Sequence, residues 1–143
     1  MELILDMKKI VVIDGQGGGI GSAVIKKLKE RLGETVQIIA LGTNAIATAQ
    51  MLKVGANNGA SGENAIIRTS RTADLIIGPI GILLANAMMG EMTPRMAEAV
   101  ASSPAKKILL PLTQENIEVV GISPMPLPHL IESLVENHLS KMF

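Results

Sequence analysis

The stretch Lys8-Lys9-Ile10-Val11-Val12-Ile13-Asp14-Gly15-Gln16-Gly17-Gly18-Gly19-Ile20-Gly21 decides how this chain folds. Its first half is a short β-branched run without alternation, which predicts a strand buried on both faces. Five glycines then fall within residues 15–21, and residues 20–32 repeat apolar side chains at helical spacing until Gly33. A buried strand, a glycine-rich turn and an amphipathic helix together predict the start of a right-handed βαβ unit.

The following residues continue the alternation of strands and helices. Residues 36–41 predict a second strand, residues 44–53 a helix with Thr43 or Asn44 as its N-cap, and residues 75–78 a central strand. Residues 57–64 have the composition of a loop, and residues 65–68 predict a short strand. Residues 80–89 are apolar nearly all round and predict a buried helix. Thr93 and Pro94 then have the pattern of a cap and a first helical residue.

The last third of the chain predicts one edge of the sheet and a final helix. Residues 107–112 and 118–122 are two late apolar runs, and the short polar link between them favours an antiparallel hairpin. A stiff proline-containing link leads to a helix over residues 130–141. Strands that alternate with helices at this spacing predict the α/β class. We expect one three-layer Rossmann-like domain over residues 1–143, with a mostly parallel sheet and the hairpin at its edge.

The composition excludes several classes of protein. With 48% hydrophobic and 18% charged residues among 143, the chain is suited to one compact domain. Thirteen basic and thirteen acidic residues balance, and Phe143 is the only aromatic, so the features of a nucleic-acid-binding surface are missing. Without cysteine there are no disulfides and no thiolate catalysis. No signal peptide or membrane span is predicted, so we expect a cytoplasmic protein.

Small and polar residues concentrate where the predicted strands end. In open α/β sheets, ligands bind outside the carboxyl ends of the strands, where the strand order reverses. Glycine lets backbone N–H groups approach an anion, and a helix N-terminus adds about half a positive charge. We therefore predict that a small anionic ligand binds here: a nucleotide, a dinucleotide or a phosphorylated metabolite. The predicted contacts are Asp14, Gly15, Gln16, Gly17, Gly18, Gly19, Ile20, Gly42, Thr43, Asn44, Glu63, Asn64, Gly78 and Pro79.

Alternatives stay open for these residues. The glycines would also suit a turn that needs them only for its shape, in a non-catalytic sensor or an oligomeric structural protein. Asp14 suits a Mg²⁺ or hydroxyl ligand as well as an Asx-type turn that holds the loop. Glu63 and Asn64 suit an acid or ligand in the same cleft, or a solvated loop. No nucleophilic triad can be assembled, no metal site is predicted, and the catalytic residues and the cofactor stay unknown.

Part of the loop resembles the cofactor loop of short-chain dehydrogenases, through Gly19-Ile20-Gly21-Ser22-Ala23 and Leu28. The chain has no tyrosine, which excludes the Tyr-x-x-x-Lys pair of those enzymes. NAD-binding folds also place an acid at the end of the second strand, where this chain has Gly42-Thr43-Asn44. NAD is therefore possible but not favoured.

Nearly the whole chain resembles a bacterial family of short, uncharacterised proteins that share a domain of unknown function. The resemblance rests on Ile13-Asp14-Gly15-Gln16-Gly17-Gly18-Gly19-Ile20-Gly21, Ala40-Leu41-Gly42-Thr43-Asn44, Gly62-Glu63-Asn64-Ala65 and Gly78-Pro79-Ile80-Gly81. It implies a Rossmann-like fold and no known activity.

The predicted helix near residues 80–92 also suggests self-association. Its apolar residues cover more than one face, including Met88, Met89 and Met92, and a small sheet seldom buries a whole helix. A homodimer or larger assembly joined through this segment is the prediction. The alternative is that the C-terminal helix of the same chain covers it.

Overall fold

The computed structural model describes residues 7–113 and 115–142. Strands and helices alternate along the chain, and the last helix continues as a π-helical and a 3₁₀ turn. The elements are β1 (Lys9–Asp14), α1 (Gly19–Leu32), β2 (Gln37–Gly42), α2 (Ala45–Lys53), β3 (Asn58–Ser61), α3 (Glu63–Ser70), β4 (Leu75–Pro79), a 3₁₀ turn (Ile80–Leu83), α4 (Pro94–Ser102), β5 (Lys106–Leu110), α5 (Leu127–Ser133), and the turns Leu134–His138 and Leu139–Lys141.

The five strands form one parallel sheet in the order β3-β2-β1-β4-β5. β1 lies at its centre, with Lys9 opposite Gln37 of β2 and Ile10 opposite Leu75 of β4. The chain first adds strands on one side of β1 and then on the other, so the strand order reverses at β1 and β4. This order is that of doubly wound dinucleotide-binding sheets, and it is consistent with a Rossmann-like fold.

Helices cover both faces of the sheet and bury it. Successive side chains of β1 point to opposite faces: Ile10 and Val12 pack with α1, α2 and α5, whereas Val11 and Ile13 pack with α3 and α4. All four side chains are fully buried. This burial on both faces explains why the β1 sequence reads as a continuous apolar run.

The predicted antiparallel hairpin is wrong. β5 pairs with β4 in parallel, and residues 118–122 form no strand in the described chain. Val120 in that run is 96% exposed. Pro111 follows β5 directly, and Pro124 and Pro126 follow the second run, so N–H donors are missing around the segment that was expected to pair.

The predicted helix over residues 80–89 is also wrong. Only Ile80–Leu83 makes a helical turn, and Asn86, Met88 and Met89 have φ angles of 68°, 59° and 58°, which no right-handed helix accepts. The loop closes on itself through hydrogen bonds between the backbones of residues 86–87 and 92. Its buried side chains, Ile82, Ala87 and Met92, pack within the same chain. The homo-oligomer stays a prediction, without the apolar helix that suggested it.

Smaller differences lie around β3 and α3. β3 falls in the predicted loop, because all four residues of this edge strand are exposed and its sequence shows no apolar alternation. The predicted strand over residues 65–68 is part of α3, since a short apolar pair fits either element. The predicted caps are confirmed: Asn44 Oδ1 accepts the N–H of Ala47, and Thr93 Oγ1 accepts that of Met96.

The helices of the described residues are too short, or too polar, to cross a lipid bilayer.

We expect Gly78 to be needed for the packing of β4 against β1. A Cβ there would lie 2.5 Å from the carbonyl oxygen of Ile13 and 3.0 Å from the Ile82 side chain. Because a strand backbone cannot move aside cheaply, Gly78→Ala should lower the free energy of unfolding by about 1–3 kcal/mol, as overpacking does. Gly81→Ala is the control, since its Cβ would meet Ala87 and Met88 only at ordinary contact distances. Urea unfolding measures both, and equal stabilities would contradict the prediction.

Candidate functional site

A cleft of about 490 Å³ opens where the strand order reverses, at the carboxyl ends of β1 and β4. Its volume is in the range of small-molecule sites. The glycine-rich loop after β1 forms one wall, and the loops after β4 and β5 form the others. The lining residues are Asp14, Gln16, Ile20, Pro79, Gly81, Asn86, Ala87, Met88, Met89, Leu112, Thr113 and Glu115.

Asp14 ties the end of β1 to the start of α1. Its side chain is only 4% exposed. Oδ1 accepts the N–H of Gly15 at 2.8 Å, and Oδ2 accepts the N–H of Gly21 at 2.7 Å. Burial raises the pKa of Asp14, and the hydrogen bonds from Gly21, Gly15 and Ile20 oppose this rise without cancelling it. Asp14 holds the loop, as one of the two interpretations had it, but the donors are one and seven residues further on, so the contact is not the Asx turn, whose donor lies two residues on.

One side chain among the predicted contacts that the sequence analysis did not name is Glu91, in the loop between β4 and α4. Its Oε1 accepts three hydrogen bonds: from the N–H of Gln16 at 2.8 Å, from Thr43 Oγ1 at 2.6 Å and from Asn44 Nδ2 at 2.8 Å. All three donors are predicted ligand contacts. The sequence offers one indication of this residue, because Glu91 is the first charged residue after the uncharged residues 75–90.

The Glu91 carboxylate is ionised at neutral pH. Burial acts to raise its pKa, but the hydrogen bonds from Thr43, Gln16 and Asn44 outweigh burial and hold the pKa below its ordinary value. The ends of β1 and β2 therefore carry a fixed negative charge that belongs to the protein itself.

Packing explains three of the five glycines in the loop. A Cβ at Gly15 would lie 2.5 Å from both Met88 and Thr43, and one at Gly21 would lie 2.6 Å from Met51. Gly18 has a φ of +74° and sits against the backbone of Ala47. A side chain at any of these positions would displace its neighbours or strain the backbone.

Gly17 and Gly19 have no such explanation. A Cβ at either position would meet nothing within 4 Å, and neither residue has a positive φ. Both are exposed, and within residues 7–113 and 115–142 neither N–H donates a hydrogen bond to the protein. Two exposed residues thus carry unpaired backbone donors where α1 begins.

The remaining predicted residues divide into two groups. Gly42 is a packing glycine like Gly78, since its Cβ would lie 2.6 Å from the carbonyl oxygen of Asn44. Glu63 accepts a hydrogen bond from Thr93 Oγ1 and lies 3.7 Å from Arg95, so it links α3 to α4. Asn64 is exposed on α3, and neither Glu63 nor Asn64 lines the cleft.

The cleft has an acidic lining. Asp14 and Glu115 line it, and among the described residues no lysine or arginine does. Glu115 Oε1 accepts the N–H of Met88 at 3.0 Å. In the part of the chain that the structure describes, no three histidine or acidic side chains gather as a metal site. The available chemistry is therefore backbone N–H groups for an anion and carboxylates for hydroxyl or amino groups.

We expect Asp14→Asn to destabilise the fold at neutral pH. The amide keeps one acceptor and turns N–H donors toward Gly15 or Gly21, so a buried bond is lost and the free energy of unfolding should fall by about 1–3 kcal/mol. Asp74→Asn is the control, because its carboxylate is exposed and accepts one bond, from the N–H of Lys9. Chemical denaturation should separate the two variants, and equal losses would count against the bridging role of Asp14.

The ionised Glu91 should make stability depend on pH. Its folded-state pKa lies below the unfolded value of 4.5, so its contribution is present above that pH and lost as the pH falls through the folded pKa. Glu91→Gln keeps an acceptor without the charge. The difference in the free energy of unfolding between wild type and Glu91→Gln should therefore shrink as the pH falls below 4.5. Above that pH the difference should stay under about 1 kcal/mol, because the group is partly exposed. Thermal unfolding across this range measures it, and a difference that grew in acid would contradict the assignment.

Comparison with known proteins identifies one family. Among curated proteins, none matches it. The model of one family, described as Domain of unknown function (DUF3842), matches residues 9–143, which include every strand and helix of the described fold. The chain therefore belongs to this family, whose domain has no assigned function.

Proposed function

We propose that this protein binds a nucleotide, a dinucleotide or a phosphorylated metabolite, with a phosphate over the N–H groups of Gly17 and Gly19. One observation carries the proposal: these two glycines are the loop residues that neither packing nor backbone geometry requires. Absence of a Cβ is useful there for close approach of a ligand to the backbone.

The start of α1 is suited to a phosphate. The helix has 14 residues and no acidic residue in its first turn. Asp14 accepts the N–H of Gly21 there, so the partial positive charge left for a ligand lies at the unpaired N–H groups of Gly17 and Gly19. Asp14 already holds the N–H groups of Gly15 and Gly21 from beneath, which fixes the loop before any ligand arrives. A preorganised loop loses little entropy when it binds.

The cleft would hold the remainder of the ligand. Ile20, Leu112 and Met88 give it apolar walls, and methionine adapts to ligand shape. Asn86 and Thr113 supply amide and hydroxyl groups for hydrogen bonds. Because no lysine or arginine of the described residues lines the cleft, the anionic part of the ligand belongs on the backbone donors, and an apolar part in the cleft.

A thermal-shift panel tests the proposal on the whole chain with inorganic phosphate, AMP, ADP, NAD⁺ and ribose 5-phosphate. A ligand at one hundred times its Kd adds about 2.7 kcal/mol to stability. For a domain of this size, each kcal/mol raises Tm by about 2–4 °C. Failure of every compound to raise Tm would favour the alternative, in which the protein is a non-catalytic sensor or structural protein and its glycines only shape the turn.

Side chains at the two open glycines should block binding without unfolding the protein. We expect Gly19→Val to weaken the best ligand of the panel at least tenfold, with a smaller loss for Gly19→Ala, because the added carbons cover the backbone donors. The free energy of unfolding should stay within about 1 kcal/mol of the wild-type value, since the side chain would enter open space. Ala101→Val, on the exposed side of α4, is the control for an added branched residue. Unchanged affinity in both Gly19→Val and Gly17→Val would defeat the proposal.

A further inference from the structure

We infer that Glu91 binds the hydroxyl groups of a ribose, on the β2 side of the glycine-rich loop. The inference rests on the proposed function and makes it more specific: the ligand is a ribose phosphate or a nucleotide whose ribose hydroxyls are free. Glu91 would be the residue that gives the site this specificity.

The carboxylate is held so that one oxygen is committed and the other is available. Gln16, Thr43 and Asn44 all donate to Oε1. Among the described residues, none donates a hydrogen bond to Oε2, and the side chain is only partly buried. Three donors on one oxygen fix the orientation of the group, so a ligand that donates a hydrogen bond to Oε2 would cost little side-chain entropy.

The charge of Glu91 selects the partner. An ionised carboxylate only accepts hydrogen bonds, so it suits a hydroxyl donor and repels a phosphate. No lysine or arginine donates a hydrogen bond to it that would neutralise this charge in the described residues. A sugar phosphorylated on the hydroxyl that faces Glu91 should therefore be rejected.

The distance along the loop fits a ribose phosphate. Gln16, whose N–H meets Glu91, directly precedes Gly17, and Gly19 follows two residues later. Consecutive Cα atoms are about 3.8 Å apart, so the Cα atoms of Gln16 and Gly19 are at most about 12 Å apart. The carboxylate that would accept from the ribose and the N–H groups that would bind the phosphate therefore lie along one short stretch of chain. One small ligand can reach both.

The end of β2 supports the same assignment. In NAD-binding sheets of this strand order, an acid at this strand end accepts a hydrogen bond from the ribose hydroxyl. Here β2 is followed by Thr43 and Asn44, which have no charge, and these two side chains instead hold the carboxylate of Glu91 from another loop. An acid thus stands at the expected place although the sequence after β2 has none.

The test compares ribose 5-phosphate with 2-deoxyribose 5-phosphate by calorimetric or NMR titration of the whole protein. Wild type should bind the ribose compound about tenfold more tightly, the size of one charge-assisted hydrogen bond. In Glu91→Ala this ratio should fall to about one, and in Glu91→Gln, which keeps an acceptor, to an intermediate value. Glu132→Ala, on the exposed surface of α5, removes a charge elsewhere and should leave the ratio unchanged.

The outcomes separate the inference from the function on which it rests. The role of Glu91 is overturned if wild type binds the two sugar phosphates equally well, or if the preference for ribose 5-phosphate survives in Glu91→Ala. Tighter binding of both sugars by Glu91→Ala also overturns it, because Glu91 would then compete with the ligand anion. If inorganic phosphate binds and Gly19→Val abolishes that binding, the proposed function survives either result. If none of the three compounds binds wild type, both fail together.

Discussion

The contact on which the site depends is the bridge from the buried Asp14 carboxylate to the N–H groups of Gly15 and Gly21. It closes the turn between β1 and α1 and holds the first turn of the helix against the strand. A buried carboxylate needs such partners, because an unpaired charge in the interior is costly. Once this turn is fixed, Gln16 lies beside Glu91, and Gly17 and Gly19 are left on the outside.

Elements that carry their own burial pattern could be predicted from the sequence. β1, β2 and β4 are continuous apolar runs because helices cover both faces of the sheet, and α1 and α2 repeat apolar residues at helical spacing. β3 could not be predicted, since its side chains are exposed and the hydrogen bonds to β2 alone make it a strand. The helix predicted over residues 80–89 was wrong although its side chains are apolar. A compact turn can bury apolar side chains as well as a helix can, so their burial does not identify the element.

Only those residues of the candidate site that directly follow a strand could be predicted from the sequence. Gln16, Thr43 and Asn44 follow strand ends, so the rule for ligand binding in α/β sheets brings them together. Glu91 lies 75 residues after Gln16, and only the closed turn that begins at Asn86 places its carboxylate between them. Counting glycines also could not show that three of them serve packing, because that depends on Met88, Met51 and Ala47 in space.

Two carboxylates of the protein therefore approach one glycine-rich loop, Asp14 from beneath and Glu91 from the β2 side. Between them they use the N–H groups of Gly15, Gln16 and Gly21, and they leave those of Gly17 and Gly19. Few donors remain, and no lysine or arginine of the described residues lines the cleft, so each further negative charge on the proposed ligand would weaken its binding. The same arrangement favours a ligand with one compact anionic group and several hydroxyls. Its anionic group would accept hydrogen bonds from the loop N–H groups, and its hydroxyls would donate to the carboxylate on the β2 side.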